Sequence, residues 1–425
     1  MKTLFRNASI LKMDDSPILY SNLVVIENRI AYIGQDYEKY GPFDRVIECE
    51  GNLIMPSFKN AHSHNGMSFL RSKADDDTLN DWLFKQTFPR EDKLTPDDIY
   101  HLSKVSILEQ LTSGISACLD QYFFPLSHRQ ACLDLGFRCC TQGTISTLNA
   151  DNLINYFNEF NQKDALVKWS IGFHSEYTSS LEELTEVKKA IDATKSGFQT
   201  HISETKGEVD RCYEKRNMSP VEYFDSLGLF KYGGVVFHGI YLSDNDIDIL
   251  KKNNVALVTC PGSNLKLASG IAPIREYLDK GLLIGIGTDG PSSNNCLDMF
   301  KEMQLVINLA KIQTNNVTAI SAYEVLKMAT VNGAKILGFD DADILEVGKL
   351  ADIIEIDLSR PSMQPINNVI NNLVYSGGKD VIKLTMVNGK VLYEDGKFNV
   401  NEDINSIYEK AQEITDRIDM EIAND

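Results

Sequence analysis

The stretch LIMPSFKNAHSH, residues 53–64, is a mostly apolar run that ends in two histidines. Seven further runs follow, separated by amphipathic segments of helical length: residues 115–122, 137–145, 169–174, 197–201, 235–238, 255–260 and 282–289. Strands that alternate with helices pair in parallel through right-handed crossovers, and eight such units close into a barrel. The sequence therefore predicts an α/β fold built on a (β/α)8 TIM-type barrel. An open doubly wound sheet is the alternative, but no GxGxxG motif follows the first strand to support its dinucleotide-binding form.

The two ends of the chain show short β-like runs instead, which include residues 23–27, 30–33, 351–356, 373–375 and 384–393. Because chain termini commonly lie close together, we expect residues 1–55 and 345–400 to form one small composite β-sandwich domain. The metal-dependent barrel would then span residues 56–344. Residues 401–425 are charged and have a helical period, so they predict a C-terminal helical tail.

Composition excludes several classes of protein. Of the 425 residues, 43% are hydrophobic and 24% are charged, which is typical of globular proteins and argues against a disordered or collagen-like chain. The formal net charge of −18 repels phosphate backbones and anionic lipid, so we expect neither nucleic acid nor a membrane as partner. No apolar run approaches the ~18 residues that cross a bilayer. The eight cysteines contain no CxxC pair, and they indicate reduced thiols in a cytoplasmic protein.

Polar residues that could bind a metal or take part in catalysis lie where the predicted strands end. Five of the seven histidines lie at the end of a predicted strand, and an aspartate lies at the end of the eighth predicted strand. These residues are His62 and His64, His174, His201, His238 and Asp289. Because active sites of (β/α)8 barrels lie at the carboxyl ends of the strands, we expect these side chains to converge.

The pair His62 and His64 predicts a metal site. The two residues are two positions apart on a strand, so both side chains point into the barrel. Two imidazoles held together in an apolar mouth favour a divalent cation, and zinc typically takes about three protein ligands and a water. His201 and Asp289 are the natural further ligands. The sequence thus predicts one divalent metal ion, with zinc favoured.

Glu204 follows His201 by three residues, so it would face away from the lumen in an unbroken strand. If the strand ends near His201, a turn brings Glu204 back over the site. A carboxylate there can take and give protons during hydrolysis at an sp² carbon. Trp82 is expected to be a packing residue or, near the barrel mouth, a platform for a planar ring.

Several longer motifs carry a resemblance to a known family. They are NAHSH (60–64), DWL (81–83), EDKLT (91–95), HSEY (174–177), HISET (201–205), SNLKLASGIAP (263–273), TDGPSSNN (288–295) and GKLAD (348–352). With these motifs the chain resembles the amidohydrolase superfamily and, more narrowly, the methylthioadenosine/S-adenosylhomocysteine deaminases. The resemblance covers nearly the whole chain.

The resemblance implies a function and a role for each residue. A zinc or iron ion is bound by His62, His64, His201 and Asp289; Glu204 shuttles protons and meets the purine ring, His238 polarises the attacking hydroxide, His174 contacts the ligand, and Glu91 accepts hydrogen bonds from ribose hydroxyls. Glu204, His238 and Asp289 are then the catalytic residues, and Trp82 joins the substrate contacts. The implied reaction converts a 6-aminopurine nucleoside (adenosine, 5′-deoxyadenosine, methylthioadenosine or S-adenosylhomocysteine) to its inosine analogue plus ammonia. A homo-oligomer is also implied.

Two alternatives stay open. The enzyme could act on a free base such as guanine, a pterin or an s-triazine, or the chain could be a non-catalytic scaffold with this fold. One departure from the family bears on the substrate: residues 139–144 and 148–157, where family members place arginines for the homocysteine carboxylate, contain none. Because a buried carboxylate without a cation is unfavourable, we expect weak activity on S-adenosylhomocysteine unless Arg71 or a neighbouring subunit supplies the charge.

Overall fold

Seventeen strands in the described part of the chain form two sheets. The computed structural model describes residues 1–73, 75–77, 81–144, 148–163 and 165–424. The strands are β1 Lys2–Ile10, β2 Leu19–Ile26, β3 Arg29–Gly34, β4 Arg45–Glu48, β5 Leu53–Pro56, β6 Phe58–Ser63, β7 Ile115–Asp120, β8 Arg138–Thr144, β9 Val167–Gly172, β10 Phe198–Ile202, β11 Gly234–His238, β12 Val255–Thr259, β13 Ile284–Ile286, β14 Ile353–Ile356, β15 Ile382–Val387, β16 Lys390–Glu394 and β17 Lys397–Phe398. The α-helices are Phe88–Glu91, Pro96–Thr112, Pro125–Leu135, Ala150–Phe160, Leu181–Thr194, Lys206–Arg216, Pro220–Ser226, Asp244–Lys252, Pro261–Lys266, Ile274–Lys280, Met299–Thr314, Ala322–Lys327, Gly333–Ile336, Val369–Tyr375 and Ile404–Asn424.

Strands β6 to β13 form the parallel barrel sheet, and each strand pairs with the next one along the chain. The ring closes between β13 and β6, where the backbone N–H of Asp289 donates to the His62 carbonyl over 3.1 Å. Adjacent cysteines on β8 show the alternation of the strands: Cys139 packs in the layer under the helices, while Cys140 packs with Phe237 and Val258 inside the ring. The (β/α)8 barrel predicted from the apolar runs is confirmed.

The second sheet joins the two ends of the chain, as predicted. Its order is β17-β16-β15-β14-β5-β1-β2-β3, and β4 pairs with the N-terminal half of β1. The N-terminal and C-terminal halves meet where β5 pairs antiparallel with β14. Phe5 and Leu23 from one end share a hydrophobic core with Ile353 and Leu384 from the other. The domain boundaries at residues 55, 345 and 400 remain predictions.

One predicted strand is wrong. Residues 373–375 lie in the helix Val369–Tyr375, which begins after Asn368, and the Asn368 side chain accepts a hydrogen bond from the Asn371 amide at 3.0 Å. A run of three apolar residues has the same pattern in a strand and on the buried face of a short helix. The asparagine N-cap decides for the helix.

The barrel helices begin at defined positions because their first turns are capped. Five of the described helices start with a capping box, in which a Ser or Thr side chain accepts from the third helical amide and an acidic side chain returns to the cap residue's own amide. The cap residues are Thr95, Ser180, Ser219, Ser243 and Ser321. These caps fix the residue at which each preceding loop ends, which restricts the conformations of the loops that carry functional residues.

A buried ion pair fastens the second sheet to the bottom of the barrel. Asp352, in the GKLAD motif, accepts from Arg138 Nε at 2.7 Å and from Arg138 Nη2 at 3.0 Å, and both side chains are fully buried. The backbone amide of Asn388 donates to the same carboxylate at 2.7 Å. Asp352 therefore binds strand β8 of the barrel and the β15–β16 turn of the sheet together, which explains the position of the motif.

The helix Ile404–Asn424 packs against the opposite, carboxyl end of the barrel. Its Ile414 and Ile418 are buried in a cluster that also contains Met67, Trp82 and Leu83. No helix within the described ranges is long and apolar enough to span a membrane.

Candidate metal centre and substrate pocket

Four side chains meet at the carboxyl ends of β6, β10 and β13. The Nε2 atom of His201 lies 3.1 Å from Nε2 of His62 and 3.3 Å from Nε2 of His64. Asp289 Oδ1 lies 3.1 Å from His64 Nε2 and 3.6 Å from His62 Nε2. A tetrahedral ion with bonds of about 2.0–2.1 Å keeps its ligand atoms about 3.3–3.4 Å apart. The three histidines could therefore hold one divalent metal ion, and Asp289 lies beside two of them.

Outer hydrogen bonds orient three of these side chains, His64, His201 and Asp289. His201 Nδ1 contacts the His174 carbonyl at 2.8 Å, and His64 Nδ1 contacts the Gln121 carbonyl. Because a carbonyl only accepts, Nδ1 carries a proton in both rings, which leaves Nε2 as the nitrogen that can bind a metal. Asp289 accepts from Ser263 Oγ at 2.6 Å through Oδ2 and from the Gly290 amide at 2.8 Å through Oδ1.

Charge at the centre suits metal binding. Burial and the neighbouring imidazoles lower the pKa of His62 and His201 well below the usual range. Burial opposes a charge on His64, but the hydrogen bond and charge of Asp289 outweigh it and raise the pKa of His64 to about 9. Burial also favours a protonated Asp289, yet His64 holds the pKa of Asp289 well below its ordinary value. Asp289 is thus an anion beside two neutral imidazoles, and a metal ion would compete with the His64 proton.

His238 ends β11 beside the four donors. Its side chain is buried, and its Nδ1 lies 2.8 Å from Asn264 Oδ1, so this nitrogen also donates its proton outward. The ring stacks on that of His201 with 5.3 Å between centroids. His238 has φ +68° and Asp289 has φ +60°. Left-handed backbone is unfavourable for residues with a Cβ, and it concentrates at functional sites where the surrounding contacts hold it.

A cavity of about 290 Å³ opens above the centre. All nine residues that the sequence predicted for the site line this cavity or the centre at its floor: His64, His201, His238 and Asp289 line its lower part, with His62 buried beneath them, and Trp82, Glu91, His174 and Glu204 contribute to its walls. The size is at the lower end of the range for small-molecule sites.

Glu204 reaches the cavity because β10 ends early. The strand stops at Ile202, and Ser203 takes a left-handed conformation with φ +50° that reverses the direction of the chain. Glu204 therefore lines the cavity, where Ser269 Oγ donates to its Oε1 at 3.3 Å.

Glu91 and Tyr122 form a polar pair on the cavity wall. The Tyr122 hydroxyl donates to Glu91 Oε1 at 2.6 Å. Burial raises the pKa of Glu91 to about 7, although the bond from Tyr122 acts in the opposite direction. Tyr122 was not predicted, because its role depends on the approach of the loop after β7 to the helix Phe88–Glu91.

Trp82 and His174 occupy the remaining predicted positions. Trp82 begins the π-helical turn Trp82–Thr87 and donates its indole N–H to Ser292 Oγ at 3.2 Å. Burial and the nearby His64 lower the pKa of His174 to about 4, so its ring is neutral. The sequence reasoning missed the contacts of Ser263 and Asn264; their motif, SNLKLASGIAP, was the only available signal.

A second group of potential metal ligands, Cys118, His128 and Cys139, lies behind the barrel wall. The two sulfurs are 3.5 Å apart, but the Asn65 side-chain amide lies 2.9 Å from His128 Nε2 and 3.3 Å from Cys118 Sγ. The amide nitrogen thus occupies the space between the donors. We interpret this group as a hydrogen-bonded core that holds Asn65, the residue after His64, in place.

Comparison with known proteins agrees with this arrangement. The model of the Amidohydrolase family matches residues 53–392. The chain belongs to the amidohydrolase family. It is 37% identical over 407 residues to a 5-methylthioadenosine/S-adenosylhomocysteine deaminase of Thermoanaerobacter pseudethanolicus, which covers 93% of this chain and 94% of the relative. It is 35% identical to a 5′-deoxyadenosine deaminase of Methanosarcina mazei, with 98% of both chains covered.

Solved structures give the same result for the amidohydrolase fold. An adenosine deaminase from Xanthomonas campestris with bound zinc superposes with a TM-score of 0.92 at 28% identity and covers 98% of both chains. A triazine hydrolase superposes with a TM-score of 0.89 at 21% identity, covering 97% of this chain and 99% of its own, and shares the fold. The residues and the family together support a divalent metal ion at the centre.

Proposed function

We propose that this amidohydrolase is a metal-dependent hydrolytic deaminase that converts a 6-aminopurine nucleoside to the inosine analogue and ammonia. One observation carries the proposal: a single cavity joins the four-donor centre at its floor to Glu204 and to the Glu91–Tyr122 pair on its walls. The deaminase names of the relatives agree with it. Zinc, or else iron, at His62, His64, His201 and Asp289 would supply a hydroxide nucleophile at neutral pH.

The chain's own residues then divide the work. Glu204 takes one proton from the attacking water and gives it to the ring nitrogen next to the attacked carbon, and the second proton of that water, accepted by Asp289, leaves with the amine as ammonia. His238, held by Asn264, presents its second ring nitrogen to the attacking oxygen. Asp289 can accept the second proton of the water, since its carboxylate is anionic. Trp82 and His174 contribute walls for a planar base.

The lining of the cavity favours a 5′-substituent without negative charge. Phe88, Phe123, Thr144, Tyr177 and Thr178 belong to this lining, and none of the described lining residues is lysine or arginine. Arg71, which could have supplied a charge, is paired with Glu109 and the Asn295 carbonyl. We therefore propose 5′-deoxyadenosine, methylthioadenosine and adenosine as better substrates than S-adenosylhomocysteine. A homo-oligomer and a cytoplasmic location complete the proposal, and the eight free cysteines support the location.

An ammonia-release assay with parallel metal analysis tests the proposal. Nucleosides should release ammonia from protein that contains about one metal ion per chain, and Glu204→Gln should retain the metal while losing most of kcat. Rapid ammonia release from guanine or a pterin with none from nucleosides would support the free-base alternative. Metal-loaded protein that releases ammonia from no ring would support the scaffold alternative.

A further inference from the structure

Glu208 is a buried carboxylate four residues after Glu204, with 2% of its surface exposed. It lies in the first turn of the helix Lys206–Arg216, and its own amide donates to the Thr205 side chain at 3.1 Å. Its Oε1 accepts from the Ser203 amide and its Oε2 from the Glu204 amide, each at 2.8 Å. Both oxygens therefore hold the turn that carries Glu204.

This contact differs from those at the other capped helices. In the five capping boxes, the acidic residue at this helical position returns to the amide of the cap residue itself. Glu208 reaches one and two residues further back, to the turn between β10 and the helix. Its carboxylate thus stabilises the turn more than the helix start.

The turn needs such a contact because its conformation is unfavourable. Ser203 is buried and has φ +50°, which disfavours any residue with a Cβ. On its other side, the Ser203 carbonyl accepts from the amides of Ile240 and Tyr241 at 3.0 Å each, which ties the turn to the loop after His238. Glu208 holds the turn from the opposite side, through the amides of Ser203 and Glu204.

Removal of the Glu208 carboxylate would leave two buried amides without an acceptor. The nearest anion along the chain is the Glu204 side chain, which could turn to these amides and leave the cavity. We propose that Glu208 is a positioning residue for Glu204: it holds the turn and occupies the amides that would otherwise draw the Glu204 carboxylate away from the substrate. The inference rests on the proposed acid–base role of Glu204.

The first test is Glu208→Gln, which keeps the shape but sets an amide NH₂ against a backbone N–H. We expect kcat for the best nucleoside substrate to fall about 10- to 100-fold, as misplacement of a reacting group by about 1 Å does, with KM and metal content near those of the unaltered enzyme. Asp210→Asn removes an exposed carboxylate of the same helix that pairs with Lys206 and should leave all three quantities unchanged. Glu355→Gln neutralises a buried carboxylate of the second sheet and controls, through urea unfolding, for a general loss of stability.

The second test is a double-mutant cycle with Glu204→Gln, assayed at high enzyme concentration. If Glu208 acts through Glu204, Glu208→Gln should lower kcat no further in the Glu204→Gln background. Equal fold losses in both backgrounds, or a loss of metal in Glu208→Gln, would overturn the positioning role and leave the proposed function intact. An unchanged kcat in Glu204→Gln alone would instead overturn the proposed function.

Discussion

The metal centre and the cover above it are built in different ways. The donors stand on barrel strands or within three residues of their ends, and His62, His201 and Asp289 have at most 6% of their surface exposed. The cover consists of the π-helical turn Trp82–Thr87 and the short helix Phe88–Glu91, where Phe84 is 57% exposed. Backbone pairing fixes the first region, and side-chain contacts hold the second.

We therefore expect reactivity to depend on the centre and selectivity on the cover. Changes at the centre should lower metal content or kcat for every substrate, because the donors lie where the reacting atoms bind. Changes in the cover should alter KM and the choice of substrate while leaving metal content unchanged.

His201→Ala removes the donor that lies within 3.3 Å of both other histidines. We expect the metal content to fall to a small fraction and kcat to fall by about four orders of magnitude, because water without the ion is a poor nucleophile at neutral pH. Metal analysis and ammonia release measure the two effects. His101→Ala, a histidine of the helix Pro96–Thr112 outside the cavity, is the control and should retain both. A fully loaded, active His201→Ala protein would contradict the assigned centre.

The cavity lining, which has no lysine or arginine among its described residues, should discriminate against a carboxylate on the 5′-substituent. We expect kcat/KM for S-adenosylhomocysteine to be about 100-fold below that for methylthioadenosine, since a carboxylate without a cationic partner loses about 3 kcal/mol or more on burial. A neutral 5′-alkylthio nucleoside of similar length separates charge from size and should be turned over well. Equal values for the charged and neutral nucleosides would show that a cation reaches the wall.

Glu91 should make substrate binding depend on pH. Its pKa is raised from 4.5 to about 7, so the carboxylate that can accept two ribose hydroxyls is present above pH 7 and lost as the pH falls below it. We expect KM for adenosine to rise about tenfold between pH 8 and pH 6, in line with the ionised fraction. Glu91→Gln should have a KM about tenfold higher and flat across this range. With 2′,3′-dideoxyadenosine, which lacks the hydroxyls, both proteins should behave alike; a persistent pH effect there would assign it to another group.

The convergence of the centre followed from the strand pattern, whereas the contacts that hold Trp82 and Glu91 in the cover did not. Parallel strands of one barrel end at the same rim, so the order of His62, His201 and Asp289 along the chain already implies their convergence. Glu204 required only one further condition, an early end to β10, and Ser203 meets it with its left-handed φ. The bonds from Ser263 to Asp289 and from Tyr122 to Glu91 join residues 26 and 31 positions apart. Such contacts depend on loop conformations and rotamers that periodicity does not encode.

The two ends of the chain show the same limit. Alternation and turn residues predicted the extra sheet, because each strand carries its own pattern. Residues 373–375 were misassigned, since three apolar positions contain too little pattern to choose between helix and strand. The helical period of residues 401–425 favoured a tail, but it contained no information on which surface Ile414 and Ile418 bury. That surface is the cover, so the last helix contributes to the pocket from a distance.

Asp419 offers the smallest and most specific test of the separation between centre and cover. Asp419 lies on the last helix and pairs with Lys73, which precedes the cover. It also pairs with Arg90 near the end of the cover, where Arg90 Nε lies 3.5 Å from Asp419 Oδ1. Asp419→Asn should raise KM about two- to fivefold with unchanged kcat and metal content, because a partly exposed ion pair contributes about 0.2–1 kcal/mol. The effect should shrink in 0.5 M salt, which screens such pairs.

Glu413→Gln is the matched control for Asp419→Asn, since Glu413 lies on the same helix and pairs with Lys410 at 3.3 Å, away from the cover. It should leave KM unchanged. If Asp419→Asn lowered kcat or metal content as much as it raised KM, the cover would be coupled to the centre. In that case the barrel alone would not determine the chemistry. A weak surface ion pair of the last helix would then affect the donors through the hydrophobic cluster that contains Met67 and Trp82, against which this helix packs.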